Sequence, residues 1–100
     1  MNDNTWEVAV LKTLVDIGDN AELQDIYDRI KCGTHITITP ELAAMHIKYN
    51  EPHYHIYVRS FLSKLVKKNQ VENIYKGEGI YSISPEGLGR LKELDEIEDV

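Results

Sequence analysis

The sequence predicts a small, mainly helical α+β domain, and three observations carry that prediction. The chain has 100 residues, which is the usual length of one domain with a single core. Apolar residues recur at helical spacing in several segments that begin at capping residues or end at glycine. Two β-branched runs in the second half flank Lys76-Gly77-Glu78-Gly79, which is typical of a β-hairpin.

Composition and charge restrict the class of protein. The net charge is −6, and hydrophobic residues make up 42% of the chain. No apolar run approaches the roughly 20 residues of a membrane-spanning helix, and the polar, acidic start is not a signal peptide. Cys32 is the only cysteine and has no partner for an internal disulfide. We therefore expect a cytoplasmic protein that makes no contact with membranes.

A first helix is predicted from about Trp6 to Ile17, with Gly18 at its end. Asn4 or Thr5 is the expected N-cap. Two apolar stripes lie on opposite faces of this helix, whereas a surface helix needs only one. The first stripe contains Trp6, Ala9, Val10, Leu14 and Ile17, and the second contains Val8, Leu11 and Val15. The second stripe predicts a contact either with another helix of the same chain or with a second chain.

A second helix is predicted over residues 21–32, capped by Asn20 and ended by Gly33. Its apolar stripe contains Leu23, Ile26, Tyr27 and Ile30. The following residues, 34–51, give the weakest pattern. Alternation over 34–38 predicts a short strand with His35 exposed, and Thr39-Pro40 predicts the start of a short helix over 42–47.

A long helix is predicted over residues 52–68, with Asn69 as a left-handed cap. Its apolar face contains Tyr54, Val58, Phe61, Leu62, Leu65 and Val66. Strands over 71–75 and 80–84 then form a hairpin, and Ser84-Pro85-Glu86 caps a last helix. That helix carries Leu88, Leu91 and Leu94. We expect a single domain with its core over 5–94 and a frayed acidic end at 95–100.

This order of elements is that of a winged helix-turn-helix with a two-stranded wing and an added C-terminal helix. Residues 58–65, Val-Arg-Ser-Phe-Leu-Ser-Lys-Leu, resemble the recognition helix of prokaryotic winged-helix domains. Residues 79–87 resemble their second wing strand and its exit. Over residues 6–94 the chain is most similar to the N-terminal winged-helix domain of Mrr-type restriction proteins. The resemblance implies a DNA-binding fold and, since it does not extend to a nuclease, implies no cleavage.

The charge distribution favours DNA as well. Residues 53–77 contain five Lys or Arg and one Glu, giving +4, so the rest of the chain carries −10. A basic stretch within an acidic protein steers DNA to one face. The alternative interpretation is a chance cluster on a solvated helix face.

The predicted DNA-binding residues lie mainly on the long helix. Arg59 has the paired donors that read a guanine edge, and Ile56 can touch a thymine methyl group or a protein partner. Ser60 and Ser63 allow close approach of the backbone, while lysines hold phosphates. The full set is His53, Ile56, Arg59, Ser60, Ser63, Lys64, Lys67, Lys68 and, at the wing tip, Lys76.

No catalytic constellation, metal site or cofactor site is predicted. His53 and His55 lie two residues apart on a helix and point in different directions, so they cannot share a metal ion. The sequence therefore predicts a small DNA-binding transcriptional regulator, with helix 52–68 in the major groove and hairpin 71–84 as the wing. Regulators of this size usually bind as homodimers, here through the second stripe of the first helix or the leucines of the last. The alternatives are a protein-interaction module and a DNA-targeting subunit of a restriction or defence assembly.

Overall fold

The computed structural model describes residues 3–74 and 78–94. Within these ranges the helices are α1 (Asp3–Ile17), α2 (Leu23–Lys31), α3 (Pro40–Ala43), α4 (His53–Lys67) and α5 (Pro85–Glu93). The strands are β1 (Ala21–Glu22), β2 (Met45–His46), β3 (Glu51–Pro52), β4 (Val71–Asn73) and β5 (Ile80–Ile83). The predicted class, mainly helical α+β, is confirmed.

Strand β5 is the centre of a three-stranded antiparallel sheet with the order β1-β5-β4. Val71 pairs with Ile83 on one side, and Ala21 pairs with Tyr81 on the other. The predicted hairpin is thus confirmed with shorter strands, and the amide of Ile74 donates to the carbonyl of Ile80 beyond the last pair. The wing tip, including Lys76, lies outside the described residues.

Strand β1 replaces the predicted first turn of the second helix. Asn20 has a left-handed backbone, with φ of 58°, and its amide donates to Ser82 Oγ over 2.9 Å. The prediction of Asn20 as an N-cap is therefore wrong, and α2 begins at Leu23. The physical reason is tertiary, because residues 21–22 take up the free edge of β5.

Helix α1 lies at the centre of the core, in contact with α2, α4, α5 and β5. It begins at Asp3, so Asn4 and Thr5 lie in its first turn and are not N-caps. Both apolar stripes of the helix are covered within the chain, since Leu11 has no exposed surface and Val8 is 9% exposed. Of the second stripe only Val15 is exposed.

The apolar residues of α5 likewise pack inside the chain. Leu91 is completely buried and Leu88 partly so, whereas Leu94 is 45% exposed. Leu91 and Leu11 are therefore unavailable as dimer contacts, and the predicted interface is wrong at those two positions. Helix α5 packs on α1. The two apolar stripes of the first helix had predicted a contact either within the chain or with a second chain, and this contact lies within the chain.

The segment between α2 and α4 differs most from the prediction. Residues 34–38 form no strand; Ile36 is buried, and His35 donates to Asp16 at 2.6 Å instead of facing solvent. Thr39 caps α3 as expected, accepting from the Leu42 amide. The helix ends at Ala43, however, and β2 pairs with β3 in a second small hairpin. The apolar residues that a longer helix would have carried, Met45 and Ile47, are exposed, so burial of apolar surface did not favour a longer helix.

The long helix and the last helix are confirmed. In α4 the buried residues are Tyr54, Val58, Phe61, Leu62 and Leu65, and Val66 packs against them. Asn69 has φ of 61°, as expected for a left-handed cap. Ser84 caps α5 by accepting from the Gly87 amide. The acidic end, 95–100, lies outside the described residues.

Candidate nucleic-acid interface

The exposed side of α4 is the strongest candidate for a binding surface. It lies opposite the buried stripe, and we call it the α4 surface. Its members are Tyr57, Ser60, Ser63, Lys64 and Lys67, all exposed. The helix itself contains no aspartate or glutamate from His53 to Lys67, and its exposed side carries hydroxyls, an aromatic ring and cations.

Four residues of the predicted set are not part of this surface, namely His53, Ile56, Arg59 and Lys68. Ile56 is half-buried, so the prediction of an aliphatic side chain on the wet face is wrong. His53 is held at the corner between α3 and α4, where its ring Nδ1 donates to the Ala44 carbonyl over 2.8 Å. Lys68 reaches across to α1 and donates to both carboxylate oxygens of Glu7, over 2.8 and 3.0 Å.

Arg59 is engaged inside the chain. Its guanidinium donates to both carboxylate oxygens of Glu51, on β3, and to the hydroxyl of Tyr27, on α2, over 3.1 Å. The hydrogen bonds that Arg59 donates to Glu51 raise the pKa of Arg59 above its usual value, and they hold the pKa of the Glu51 carboxyl below its usual value. The guanidinium predicted to read guanine therefore has an acidic partner already.

An aromatic pair lies against this ion pair. The rings of Tyr27 and His55 are stacked with centroids 3.7 Å apart, and His55 Nδ1 lies 3.6 Å from Glu51 Oε1. Burial lowers the pKa of His55 more than the nearby Glu51 raises it. Tyr27, Glu51, His55 and Arg59 form one cluster, called here the Arg59 cluster, which joins α2, β3 and α4. Sequence reasoning missed it because Glu51 lies in the segment with the weakest pattern.

Glu7 forms a second cluster at the other end of α4. Its side chain is 5% exposed and accepts from Lys68 and from Arg90 Nη1, the latter over 2.6 Å. Burial raises the pKa of the Glu7 carboxyl, but the hydrogen bonds and charges of Lys68 and Arg90 outweigh it, so the pKa lies below the usual value. These contacts fasten α4 and α5 to α1.

The cations of the α4 surface are thus Lys64 and Lys67. Lys64 places Nζ 4.7 Å from the centroid of the Phe61 ring, which fixes its stem along the helix. Lys67 is exposed in the last turn of the helix. Two further cations of the basic stretch, Arg59 and Lys68, are paired with Glu51 and Glu7.

Hairpin β2–β3 adds an exposed apolar tip that the sequence did not predict. Ile47 is fully exposed, Met45 is 55% exposed and Tyr49 is 50% exposed. Lys48 lies between Ile47 and Tyr49 in the chain, and its Nζ is 5.4 Å from the centroid of the Tyr49 ring. The hairpin leads directly into α4, so this tip is attached to the N-terminal end of the candidate helix.

Within residues 3–74 and 78–94 no three His, Cys, Asp or Glu side chains come together as metal ligands. None of the helices described there has the length and apolar character needed to cross a bilayer. Comparison with protein-family models, with curated proteins and with solved structures found no match for this chain.

Proposed function

We propose that this chain binds double-stranded DNA and places α4 in the major groove. The observation that carries the proposal is the α4 surface, where two serines and two lysines are exposed on a helix without a carboxylate. Small hydroxyl side chains allow a helix backbone to approach base edges and phosphates, and flanking lysines supply charge. The role we propose is that of a small transcriptional regulator.

The order of elements supports this proposal. Helices α1 and α2 are followed by the longer α4 and by the β4–β5 hairpin, and β1 completes the sheet beside β5. We propose that this is a winged helix in which α3 and hairpin β2–β3 are inserted before the recognition helix and α5 is added after the wing. The proposed relationship to Mrr-type winged-helix domains rests on the same α4 and β5 segments.

The proposal assigns different roles to the cations. Lys64 and Lys67 hold phosphates, and Ser60 and Ser63 face the groove. Arg59 acts mainly by positioning β3 against α4, because its guanidinium is bound to Glu51. With two to three phosphate contacts we expect the logarithm of the affinity to fall with the logarithm of salt concentration with a slope of about −2 to −3.

The test is a titration of fluorescently labelled random-sequence duplex, followed by anisotropy at low and at physiological salt. The Lys64→Ala/Lys67→Ala variant is compared with Lys31→Ala/Lys92→Ala, which removes the same charge from exposed positions on α2 and α5. We expect salt-sensitive binding that drops at least tenfold in the α4 variant and changes little in the control. Equal losses in both variants, or no binding at low salt, would contradict the proposal.

A protein-interaction module is the second candidate function. The observation that favours it is the pairing of Arg59 with Glu51 and of Lys68 with Glu7, in a chain of net charge −6. This candidate expects no salt-sensitive affinity for DNA and no dependence on Lys64 and Lys67. The same titration therefore separates the two functions.

A further inference from the structure

We propose that hairpin β2–β3 is a second DNA-contacting element beside α4. In this proposal Lys48 contacts a phosphate, while Ile47 and Tyr49 lie against the apolar surface of sugars and bases. The proposal rests on the proposed DNA-binding function and adds a contact that the sequence did not predict. It starts from the exposure of Ile47, the only large apolar side chain of the described residues that is fully exposed.

The tip is held in a defined conformation. The amide of Asn50 donates to the His46 carbonyl over 2.8 Å, and Asn50 has φ of 52°, as a tight left-handed turn requires. The Lys48 amide donates to His46 Nδ1 over 3.2 Å. The His46 ring lies 4.9 Å from the Tyr49 ring and 4.8 Å from the His53 ring, measured between centroids. Ordering the tip on binding therefore costs little, which favours a contact role.

The hairpin is fixed to the first residue of α4. The His53 amide donates to the Ala44 carbonyl over 3.0 Å, so both ends of the hairpin meet at the N-terminus of the helix. Tyr49 is four residues before His53, and the chain spans at most about 14 Å over that length. The major groove is about 12 Å wide. The tip thus lies no farther from the start of α4 than about the width of the groove, and the proposal places it against the backbone beside that groove.

The charge of the tip favours DNA as the occupant. Residues 42–50 contain no aspartate or glutamate and include Lys48. Of the two carboxylates that flank this stretch, Glu51 is bound to Arg59, and Glu41 lies on α3, seven residues before Lys48. An aliphatic side chain and an aromatic ring beside a cation match the combination that DNA offers, namely an anionic backbone next to apolar sugar and base surfaces.

A second copy of the chain fits the tip less well. Stable dimers bury about 800 Å² on each partner. Three exposed side chains on a narrow turn, Met45, Ile47 and Tyr49, offer much less area than that. Among the described residues, the other exposed large apolar side chains, Val15, Tyr57 and Leu94, lie on α1, on α4 and at the end of α5, and not on the hairpin.

The test compares three variants in the anisotropy titration used for α4. We expect Ile47→Ser/Tyr49→Ala to weaken duplex binding about tenfold with an unchanged salt slope. Lys48→Ala should reduce the magnitude of the salt slope by about one. The control, Lys31→Ala on α2, removes an exposed cation away from the hairpin and should leave the affinity within about twofold of the parent and the salt slope unchanged. Thermal unfolding of each variant verifies that the fold is retained, as full exposure of Ile47 leads us to expect.

The outcomes separate the two proposals. If the hairpin variant binds DNA like the parent chain while Lys64→Ala/Lys67→Ala loses binding, the hairpin inference is overturned and the proposed function stands. If the parent chain does not bind duplex DNA at low salt, both are overturned. A loss of self-association in sedimentation velocity without a change in DNA affinity would identify a second copy as the occupant and would also overturn the inference.

Discussion

The carboxylate of Glu51 binds the guanidinium of Arg59 through both of its oxygens, so one end of the candidate DNA-binding helix carries an internal ion pair. Glu51 immediately precedes Pro52, the N-cap residue of α4. A carboxylate at this position does two things: it orients Arg59, and it places a negative charge where a phosphate would approach. The balance between these two effects can be measured.

Replacing Glu51 with Gln should strengthen duplex binding roughly threefold to tenfold. The amide keeps a hydrogen-bond acceptor for Arg59 but removes the charge, so the guanidinium becomes available to a phosphate or a guanine. Anisotropy at fixed salt measures the change. Glu93→Gln, on α5, is the matched control because it alters the net charge equally. An equal gain in both variants would show that only net charge matters.

Glu7 should make stability depend on pH in the acidic range. Because its folded pKa lies below the usual value, its contribution is fully present above the unfolded pKa, about 4.3, and is lost as the pH falls through the folded pKa. We expect Glu7→Gln to lower the free energy of unfolding by about 1–3 kcal/mol at pH 7, because Lys68 and Arg90 lose their shared partner. The difference should shrink below about pH 4.

Urea unfolding at pH 7 and at pH 3.5, followed by the fluorescence of Trp6, checks this prediction. Trp6 is the only tryptophan, and it is buried with its ring stacked on Phe61 at 5.8 Å. Glu22→Gln removes an exposed carboxylate and serves as the control. A gap between the parent chain and Glu7→Gln that is equally large at pH 7 and pH 3.5 would contradict the assignment.

Two glycines of α5 should respond oppositely to alanine. A Cβ on Gly87 would overlap the backbone oxygen of Gln70 and lie 2.8 Å from Ile83 Cγ1, whereas a Cβ on Gly89 would meet nothing within 4 Å. We expect Gly87→Ala to destabilise the fold by about 2–4 kcal/mol and Gly89→Ala to stabilise it by about 0.5–1 kcal/mol. Thermal unfolding of the two variants measures the change in melting temperature. Equal changes in both would refute the close approach of Gly87 to the Gln70 backbone.

The two helix caps should differ in their importance. Ser84 Oγ accepts from the Gly87 amide and also donates to the Asn69 carbonyl over 2.6 Å, and the residue is buried. Thr39 makes a single cap bond, to the Leu42 amide. We expect Ser84→Ala to cost about 2–3 kcal/mol and Thr39→Ala about 1 kcal/mol. Chemical denaturation ranks the two variants, and a larger loss at Thr39 would count against the double role of Ser84.

The elements that could be predicted from the sequence are those with local signals. Thr39 and Ser84 cap helices through bonds to amides three residues later, and Gly18, with φ of 94°, ends α1. The apolar spacing of α4 likewise predicts which face of the helix is buried, because the spacing is a property of the local sequence. Each of these signals lies within the element that it predicts.

The remaining features depend on contacts between residues far apart in the chain. The sequence predicts helix for residues 21–22, but in the structure they pair with β5. It predicts Lys68 as a phosphate ligand, but in the structure Lys68 donates to Glu7. Arg59 is similar, because its partner Glu51 belongs to a hairpin without a sequence signal of its own. The exposed side of α4 could be predicted, but not which of its cations are neutralised.

The central position of β5 also bears on how the chain reaches its native state. One of its partners, at Ala21, is made early in synthesis, and the other, at Val71, is made late. During translation neither β1 nor β4 can pair until residues 80–83 have been made, so the sheet forms only when nearly all of the described chain has left the ribosome. Pairing over such a sequence separation slows folding, because loop closure precedes the stabilising contact. We therefore expect nascent chains that stop before Ile80 to remain sensitive to protease and longer ones to become resistant in a single step.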